Sequence, residues 1–329
     1  MRVVCALDKF RGTLTAHEAV AAVAAGVRDA VPGATTDEVP VADGGEGFLD
    51  VLGGPNRSAL VTGPLGEPVE AAWRMSKGVG VLEMARASGL LLAGGADGND
   101  PIAATTAGTG ELIADAVSAG VRRVLLGVGG SATTDGGLGA IRALEPLARL
   151  RGVRIVVACD VRTRFVDAAP VFGPQKGASA AQVELLRRRL DRLAQVYEQD
   201  FGVDVREIPG SGAAGGLGGG LLAIGAELVP GFDVVADETD LDELVADADL
   251  VITGEGHLDE GSFDGKAVGG LAQLAVEAEV PVVAVAGVVD DDVADRLTTL
   301  SLVERFGAEA ATTDAATCVR RIVAEHLGG

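Results

Sequence analysis

At 329 residues the chain is longer than one hydrophobic core usually supports, which predicts two domains, and its 48% hydrophobic content is ample to fill them. Twenty-seven basic against 48 acidic side chains leave a net charge of -21, which argues against nucleic acid and anionic membrane as partners, because both need a basic footprint. An anionic substrate would meet a repulsive overall field, so local lysines, backbone amides or a metal must hold it.

Val3 to Leu7 reads as a buried strand ending at Asp8. Thr15 and Glu18 have capping-box spacing and open a helix to about Ala30, stopped by Pro32-Gly33. Asp37 to Val41 reads as a second strand, followed by Asp43-Gly-Gly-Glu-Gly47. Leu60-Val-Thr62 and Val69 to Trp73 flank Gly63-Pro-Leu-Gly66, the chemistry of a hairpin, and the chain is expected to enter another domain there. A short strand spans Val79 to Met84, and a helix runs from Glu111 to about Ser118.

Val124 to Val128 is a strand that opens on Gly129-Gly-Ser-Ala-Thr-Thr-Asp-Gly-Gly137 before a helix at Ala140 to Leu144. A glycine-rich turn between strand and helix lets backbone N–H groups converge on an anion, and its acid suits a magnesium ion that travels with phosphate. Taken alone, the loop is better explained by glycines that only permit positive φ. Arg154 to Cys159 is the next strand, and Ser179 with Gln182 caps a long amphipathic helix through Tyr197. Asp249 to Thr253 is a strand opening on Gly254-Glu-Gly256; Val280 to Ala286 is another, and the last helix covers about Ala315 to Leu327. Strands alternating with helices predict a parallel-rich α/β protein.

Gly210-Ser-Gly-Ala-Ala-Gly215 matches a dinucleotide fingerprint, but Arg206, Glu207 and Pro209 stand where a buried first strand belongs, and 48 glycines match such patterns by chance. Gly261 to Ala267 falls one residue short of a Walker A loop and has Ala267 where magnesium needs a hydroxyl. The three cysteines and three histidines show no metal spacing. The N-terminus opens on a strand without a secretory pattern, and no apolar run is long enough to span a bilayer, so a cytoplasmic protein is expected.

Four segments share glycine with a carboxylate or a lysine after a strand: Asp43 to Glu46, Ser131 to Asp135, Gly173 to Gly177, and Gly254 to Asp259, with Lys266 beyond the last. Strand carboxyl ends line the ligand crevice of open α/β sheets, where Asp8 also sits. Lysines, acids and bare amides together suit phosphoryl transfer.

Ala6-Leu-Asp-Lys-Phe-Arg-Gly-Thr-Leu-Thr-Ala16, Val41-Ala-Asp-Gly-Gly-Glu-Gly47, Val61-Thr-Gly-Pro-Leu-Gly-Glu-Pro68, Gly129 to Gly137, Val171-Phe-Gly-Pro-Gln-Lys-Gly-Ala178, Gly212-Ala-Ala-Gly-Gly-Leu-Gly218 and Thr253-Gly-Glu-Gly-His-Leu-Asp259 resemble the type I glycerate kinases of bacteria. The resemblance implies ATP-dependent phosphorylation of D-glycerate with Mg2+, giving a phosphoglycerate, commonly the 2-phosphate, by a monomer or homodimer. It also implies two α/β domains, one Rossmann- or flavodoxin-like with a parallel sheet, the other inserted within it, and a site in the cleft. The expected bounds are 1–60 with 241–329 for the first domain and 61–240 for the insert.

On this reading Asp259, Lys176 and Lys266 are catalytic, with Asp259 the candidate base. Asp8, Lys9 and Arg11 bind substrate. Gly44, Gly45, Gly129, Gly130, Ser131, Thr133, Gly254 and Gly256 hold nucleotide or phosphate, and Asp43, Asp135, Glu46 and Glu255 hold metal. The chain departs from the family where Leu7-Asp8-Lys9-Phe10-Arg11 replaces Pro-Asp-Ser-Phe-Lys and where the loop Arg162 to Pro170 is short. These departures keep two alternatives open: a kinase of another small hydroxy acid or sugar acid, and a non-catalytic ligand-binding paralogue.

Overall fold

A computed structural model describes residues 1–263 and 265–329; Asp264, inside the Walker-like segment, lies outside the described residues. The strands among them are β1 (Arg2–Leu7), β2 (Thr35–Glu38), β3 (Arg57–Thr62), β4 (Pro68–Ser76), β5 (Val79–Glu83), β6 (Arg123–Gly127), β7 (Arg154–Ala158), β8 (Glu227–Val229), β9 (Leu250–Leu258), β10 (Val282–Val289) and β11 (Thr298–Ser301). The chain folds as two compact units, a discontinuous one of Met1–Asp43 with Phe232–Gly329 and a middle one of Gly44–Gly231. The divisions fall at 43/44 and 231/232, not at the expected 60/61 and 240/241. Residues 44–60 join the middle unit because Gly47 and Leu49 donate to Glu83 at the end of β5, and β3 pairs with β4. Phe232 joins the discontinuous unit because its ring lies against Gly270.

In the discontinuous unit the sheet order is β11-β10-β9-β1-β2, all parallel. Both chain ends thus build one sheet of flavodoxin-like order. The direction of winding reverses between β1 and β9, where α/β sheets bind ligands. Adjacent residues of β10 enter different cores: Val283 and Val285 pack with Val3, Cys5 and Leu7, whereas Ala284 and Ala286 pack with Val268 and Leu258. That alternation places helices on both faces. The helix Ala16–Ala30 carries the expected capping box, Thr15 accepting from Glu18 N and Glu18 accepting from Thr15 N.

In the middle unit the order is β3-β4-β5-β6-β7-β8. The Gly63 hairpin joins antiparallel β3 and β4; β5 to β8 are parallel. Trp73, Leu82, Leu126 and Val157 lie at its core. The expected long helix runs Ala180–Phe201 behind a Ser179–Gln182 capping box and turns Leu186, Leu190, Ala194 and Tyr197 inward. The glycine-dense stretch 210–220 follows no strand. It enters the helix Ala213–Ala223 through three left-handed residues, Ala214, Gly215 and Gly216. A side chain on Gly215 would strike the carbonyl of Thr133, so this glycine exists for close packing on the 131–135 loop.

Candidate active site

In the discontinuous unit the carboxyl ends of β1 and β9 bring charged groups together. Asp8 follows β1 directly and is 8% exposed. Its Oδ1 accepts from Lys9 N at 2.6 Å, with Lys9 Nζ at 3.8 Å. Burial pushes the Asp8 carboxyl up to about 6; Asp43 adds to the rise, while Lys9 and Arg11 oppose it. A carboxyl poised there can exchange a proton near neutral pH. Arg11 is exposed on the same turn.

The strand β9 continues to Leu258, five residues past the expected end. Gly254 and Gly256 are therefore strand residues and not a phosphate loop. The reason is β10, which pairs with β9 as far as Val289 with Leu258. A Cβ on Gly254 would strike the Val285 carbonyl, and one on Gly256 would lie 3.0 Å from Arg11 N, so both glycines admit neighbouring backbone. Between them, burial raises the Glu255 carboxyl, as do Asp8 and Asp259; a hydrogen bond to Ser262 and the charge of Lys266 lower it. Asp259 Oδ1 accepts from Ser262 N at 3.0 Å and Oγ at 3.2 Å. It thereby organises the turn Glu260–Phe263. Lys266 is the N-cap residue of the helix Ala267–Glu277. A Cβ placed on Gly261 would lie 3.2 Å from Asp259 Oδ1 and 3.8 Å from Lys266 Nζ, so acid and lysine flank one bare backbone position. His257 Nε2 meets Asp290 Oδ1 at 2.8 Å, a pairing with an acid of another strand end that local sequence did not reveal.

In the middle unit the loop after β6 is a closed scaffold. Asp135 ties the loop together through its carboxylate. Its Oδ2 accepts from Thr106 N and Oγ1 and from Gly139 N, and its Oδ1 from Gly137 N, at 2.8–3.2 Å. Its clamp partner Thr106 is 29 residues away in the chain. Lys176 is 2% exposed, and its ammonium donates to Ser131 Oγ at 2.7 Å and Thr133 O at 2.6 Å. It braces the loop from inside. Burial lowers it to about 7. Ser131 and Thr133 are buried as well.

What the loop exposes is its glycine apex. Gly130 is exposed at φ +72, and Gly129 N donates to Gly44 O at 3.4 Å. Gly45 lies so close to Gly129 that a Cβ on the latter would come within 2.5 Å of its Cα. The two glycine segments therefore meet, with Glu46 exposed beside them. Among the described residues no group of three or more His, Cys, Asp or Glu side chains converges as a metal cage.

The structure thus gathers Asp8, Lys9 and Arg11 at one strand end, Glu255, Asp259 and Lys266 at the next, and Gly44, Gly45, Gly129 and Gly130 at a third place. Asp135→Asn tests the clamp. Its new NH2 would face N–H donors, and the protein is expected to lose about 1–3 kcal/mol of stability. Urea unfolding measures the loss. Full stability with an altered magnesium requirement would make Asp135 a metal ligand instead.

The pattern of the glycerate kinase family matches residues 3–146 and 145–325. A "Glycerate kinase" of Halalkalibacterium halodurans is 41% identical, over 87% of this chain and 85% of that protein. A "Glycerate 2-kinase" of Escherichia coli is 40% identical, over 89% of this chain and 87% of its own length. A crystal structure of a glycerate kinase 2 candidate from Salmonella typhimurium LT2 superposes with a TM-score of 0.85 at 36% identity, covering 99% of this chain and 97% of that one. The chain belongs to the glycerate kinase family.

Proposed function

We propose that this protein transfers the terminal phosphoryl group of ATP to the 2-hydroxyl of D-glycerate. Family membership and the 40% identical glycerate 2-kinase support the reaction. The observation that carries it within the structure is the charge pattern at the β1/β9 switch point. A buried carboxyl held near neutral pH, Asp8, stands in the same group as the exposed guanidinium of Arg11 and the Asp259–Lys266 pair.

In this reading Asp8 takes the hydroxyl proton, since burial holds its carboxyl near neutral pH. Arg11, with Lys9 beside it, holds the glycerate carboxylate, since a guanidinium fork pairs with it in bidentate fashion. Lys266 neutralises charge on the transferred group. Gly129 and Gly130, with Gly44 and Gly45, offer backbone to the nucleotide phosphates, and Lys176 keeps that loop in place.

Magnesium bound with nucleotide needs only one or two protein carboxylates, the rest of its shell being phosphate and water. Asp43, Glu255 and Glu46 have the right donor chemistry for that. When bound, the ion would offset negative charge on the phosphates.

We also read the two compact units as functional domains and the cytoplasm as the compartment. Three unpaired cysteines among the described residues, and the lack there of a helix long and apolar enough to cross a membrane, support the latter.

Incubation with ATP, magnesium and D-glycerate, followed by phosphorus NMR, tests the proposal; the expected product is the 2-phosphate. Turnover of another hydroxy acid in preference to glycerate would move the substrate, and binding without turnover would favour a non-catalytic paralogue. Arg11→Ala is expected to raise the KM for glycerate about 10–100-fold, the worth of a charge-assisted pair. The KM for ATP should stay near wild type. A rise confined to ATP would assign the β1 turn to the nucleotide.

A further inference from the structure

The strand β5 ends on an acid that the proposed chemistry leaves unused. Glu83 is 5% exposed, and its two carboxylate oxygens meet different partners. Oε1 accepts from Gly47 N at 3.0 Å and from Leu49 N at 2.9 Å. Oε2 accepts from Arg86 Nε at 2.9 Å, and Arg86 Nη2 lies 3.4 Å from Asp50. Gly47 stands at φ +94 before the short helix Phe48–Val51 and has no side chain to cap it. The cap comes instead from Glu83, 36 residues further along the chain. A buried carboxylate meeting two amides and a guanidinium makes charge-assisted bonds, the strong kind.

The stretch that Glu83 holds lies across the carboxyl ends of three strands of the middle sheet. A Cβ on Gly44 would meet the carbonyl oxygen of Ala158, the last residue of β7, at 2.7 Å. One on Gly127, the last residue of β6, would meet the Phe48 ring at 3.0 Å. Glu83 is the last residue of β5. Between these anchors Gly44 O accepts from Gly129 N at 3.4 Å, where the two glycine segments meet. The residues after Glu83 hold the second segment. Leu90 N donates to Gly130 O at 2.9 Å, and Ala132 N donates to Ser88 O at 3.0 Å. Residues 83–90 thus bracket both segments, the first through a side chain and the second through backbone.

We propose that Glu83, with Arg86, is a positioning residue for nucleotide binding. It fixes the stretch from Gly44 to Leu49 against the apex at Gly129 and Gly130, so that their backbone meets the phosphates as one surface. The inference rests on the reading that these glycines face the nucleotide. Three of the four residues from Gly44 to Gly47 are glycine, the residue with the most backbone freedom to lose. Released from Glu83, the stretch would have to be ordered by the nucleotide, and that entropy would come out of its affinity. The proposed glycerate contacts, Lys9 and Arg11, belong to the other unit, so glycerate affinity should be spared. Arg86 makes the position one for a carboxylate. An amide could serve Gly47 and Leu49 with its oxygen, but its NH2 would then face the N–H of Arg86.

Two measurements on the full chain test it. Calorimetric titration with magnesium and the non-hydrolysable analogue AMP-PNP reads nucleotide affinity without any acceptor, and steady-state rates read the two KM values. Glu83→Ala should weaken AMP-PNP binding at least about tenfold and raise the KM for ATP by a similar factor, leaving the KM for D-glycerate within about twofold. Glu83→Gln, nearer to wild type in shape, should show the same split. Arg86→Met added to Glu83→Gln should return nucleotide affinity to within about threefold of wild type, because the amide oxygen keeps both backbone donors and its NH2 no longer faces one. Lower melting temperatures without this split and this rescue would make Glu83 merely structural and overturn the proposal. Unchanged AMP-PNP affinity in Glu83→Ala, or in Glu83→Gln if the alanine variant does not fold, would overturn it while leaving the proposed reaction standing. So would a rise confined to the glycerate KM. Wild-type protein that binds no nucleotide would overturn both the proposal and the reading on which it rests.

Discussion

Lys176→Met should cut turnover by about 10–100-fold and change how stability depends on pH. The ammonium is buried at 2% exposure and lowered to about 7, while in the unfolded chain it returns to 10.5. Between these values the unfolded state binds more protons, so wild-type stability rises with pH from about 7 to 10.5, and below 7 this residue contributes no slope. From pH 7 to 9.5 the gain is about 3 kcal/mol, at about 1.4 kcal/mol per pH unit. The Met variant lacks it. Urea unfolding of both proteins at pH 6.5 and 9.5 measures the difference, in which all other titrations cancel. Parallel pH profiles would mean that the lysine is not buried in the folded protein. The kinetic loss has a separate origin: Ser131 Oγ and Thr133 O lose their donor, and the loop that presents Gly129 and Gly130 loses its brace. It should appear in kcat and in the KM for ATP together.

Asp8→Asn should lower kcat by about 10²–10⁴-fold, the usual worth of a positioned general base. It should also leave the protein more stable at neutral pH. Burial raises the Asp8 carboxyl to about 6 from an ordinary value of 3.8. Between those values the folded state binds more protons, so stability falls as pH rises through the window, and above 6 the whole cost is present. At pH 7.5, without nucleotide or magnesium, the variant should gain up to about 3 kcal/mol, reduced by whatever the Lys9 hydrogen bond contributes. At pH 4 the gain should be absent. Calorimetric melting at the two pH values, beside the rate, checks both parts. A variant that loses stability at pH 7.5 and keeps its kcat would make Asp8 a structural acceptor for Lys9 N.

What sequence could disclose was local. Thr15 with Glu18 and Ser179 with Gln182 mark helix starts because the partners of a capping box lie three residues apart. The Gly63 hairpin and the parallel strands follow from turn chemistry and runs of β-branched residues, equally local. Gly254 and Gly256 were open to misreading because the extension of β9 to Leu258 is dictated by β10. Asp135 reads as a metal ligand, and its clamp on Thr106, 29 residues away, is out of reach of local sequence. Lys176 reads as a catalytic lysine, and nothing in Gly173-Pro-Gln-Lys-Gly177 says that its ammonium is enclosed by Ser131 and Thr133. The pairing of Asp259 with Ser262 spans three residues and was within reach. The proton-exchange character of Asp8 was not, since it arises from burial and from Asp43.

The pairing of Val3 with Leu250 has a consequence for how the protein is made. A chain emerging from the ribosome carries β1, an apolar strand, well before its partner β9 exists. At roughly 5–20 residues per second that interval is on the order of tens of seconds. The middle unit, contiguous from Gly44 to Gly231, can complete its sheet within it. The first strand has β2 and the helix Ala16–Ala30 for company, and one edge open to other chains. Moving residues 1–43 to the C-terminus by circular permutation would let both units form in order of synthesis. Soluble yield at low chaperone levels should rise accordingly.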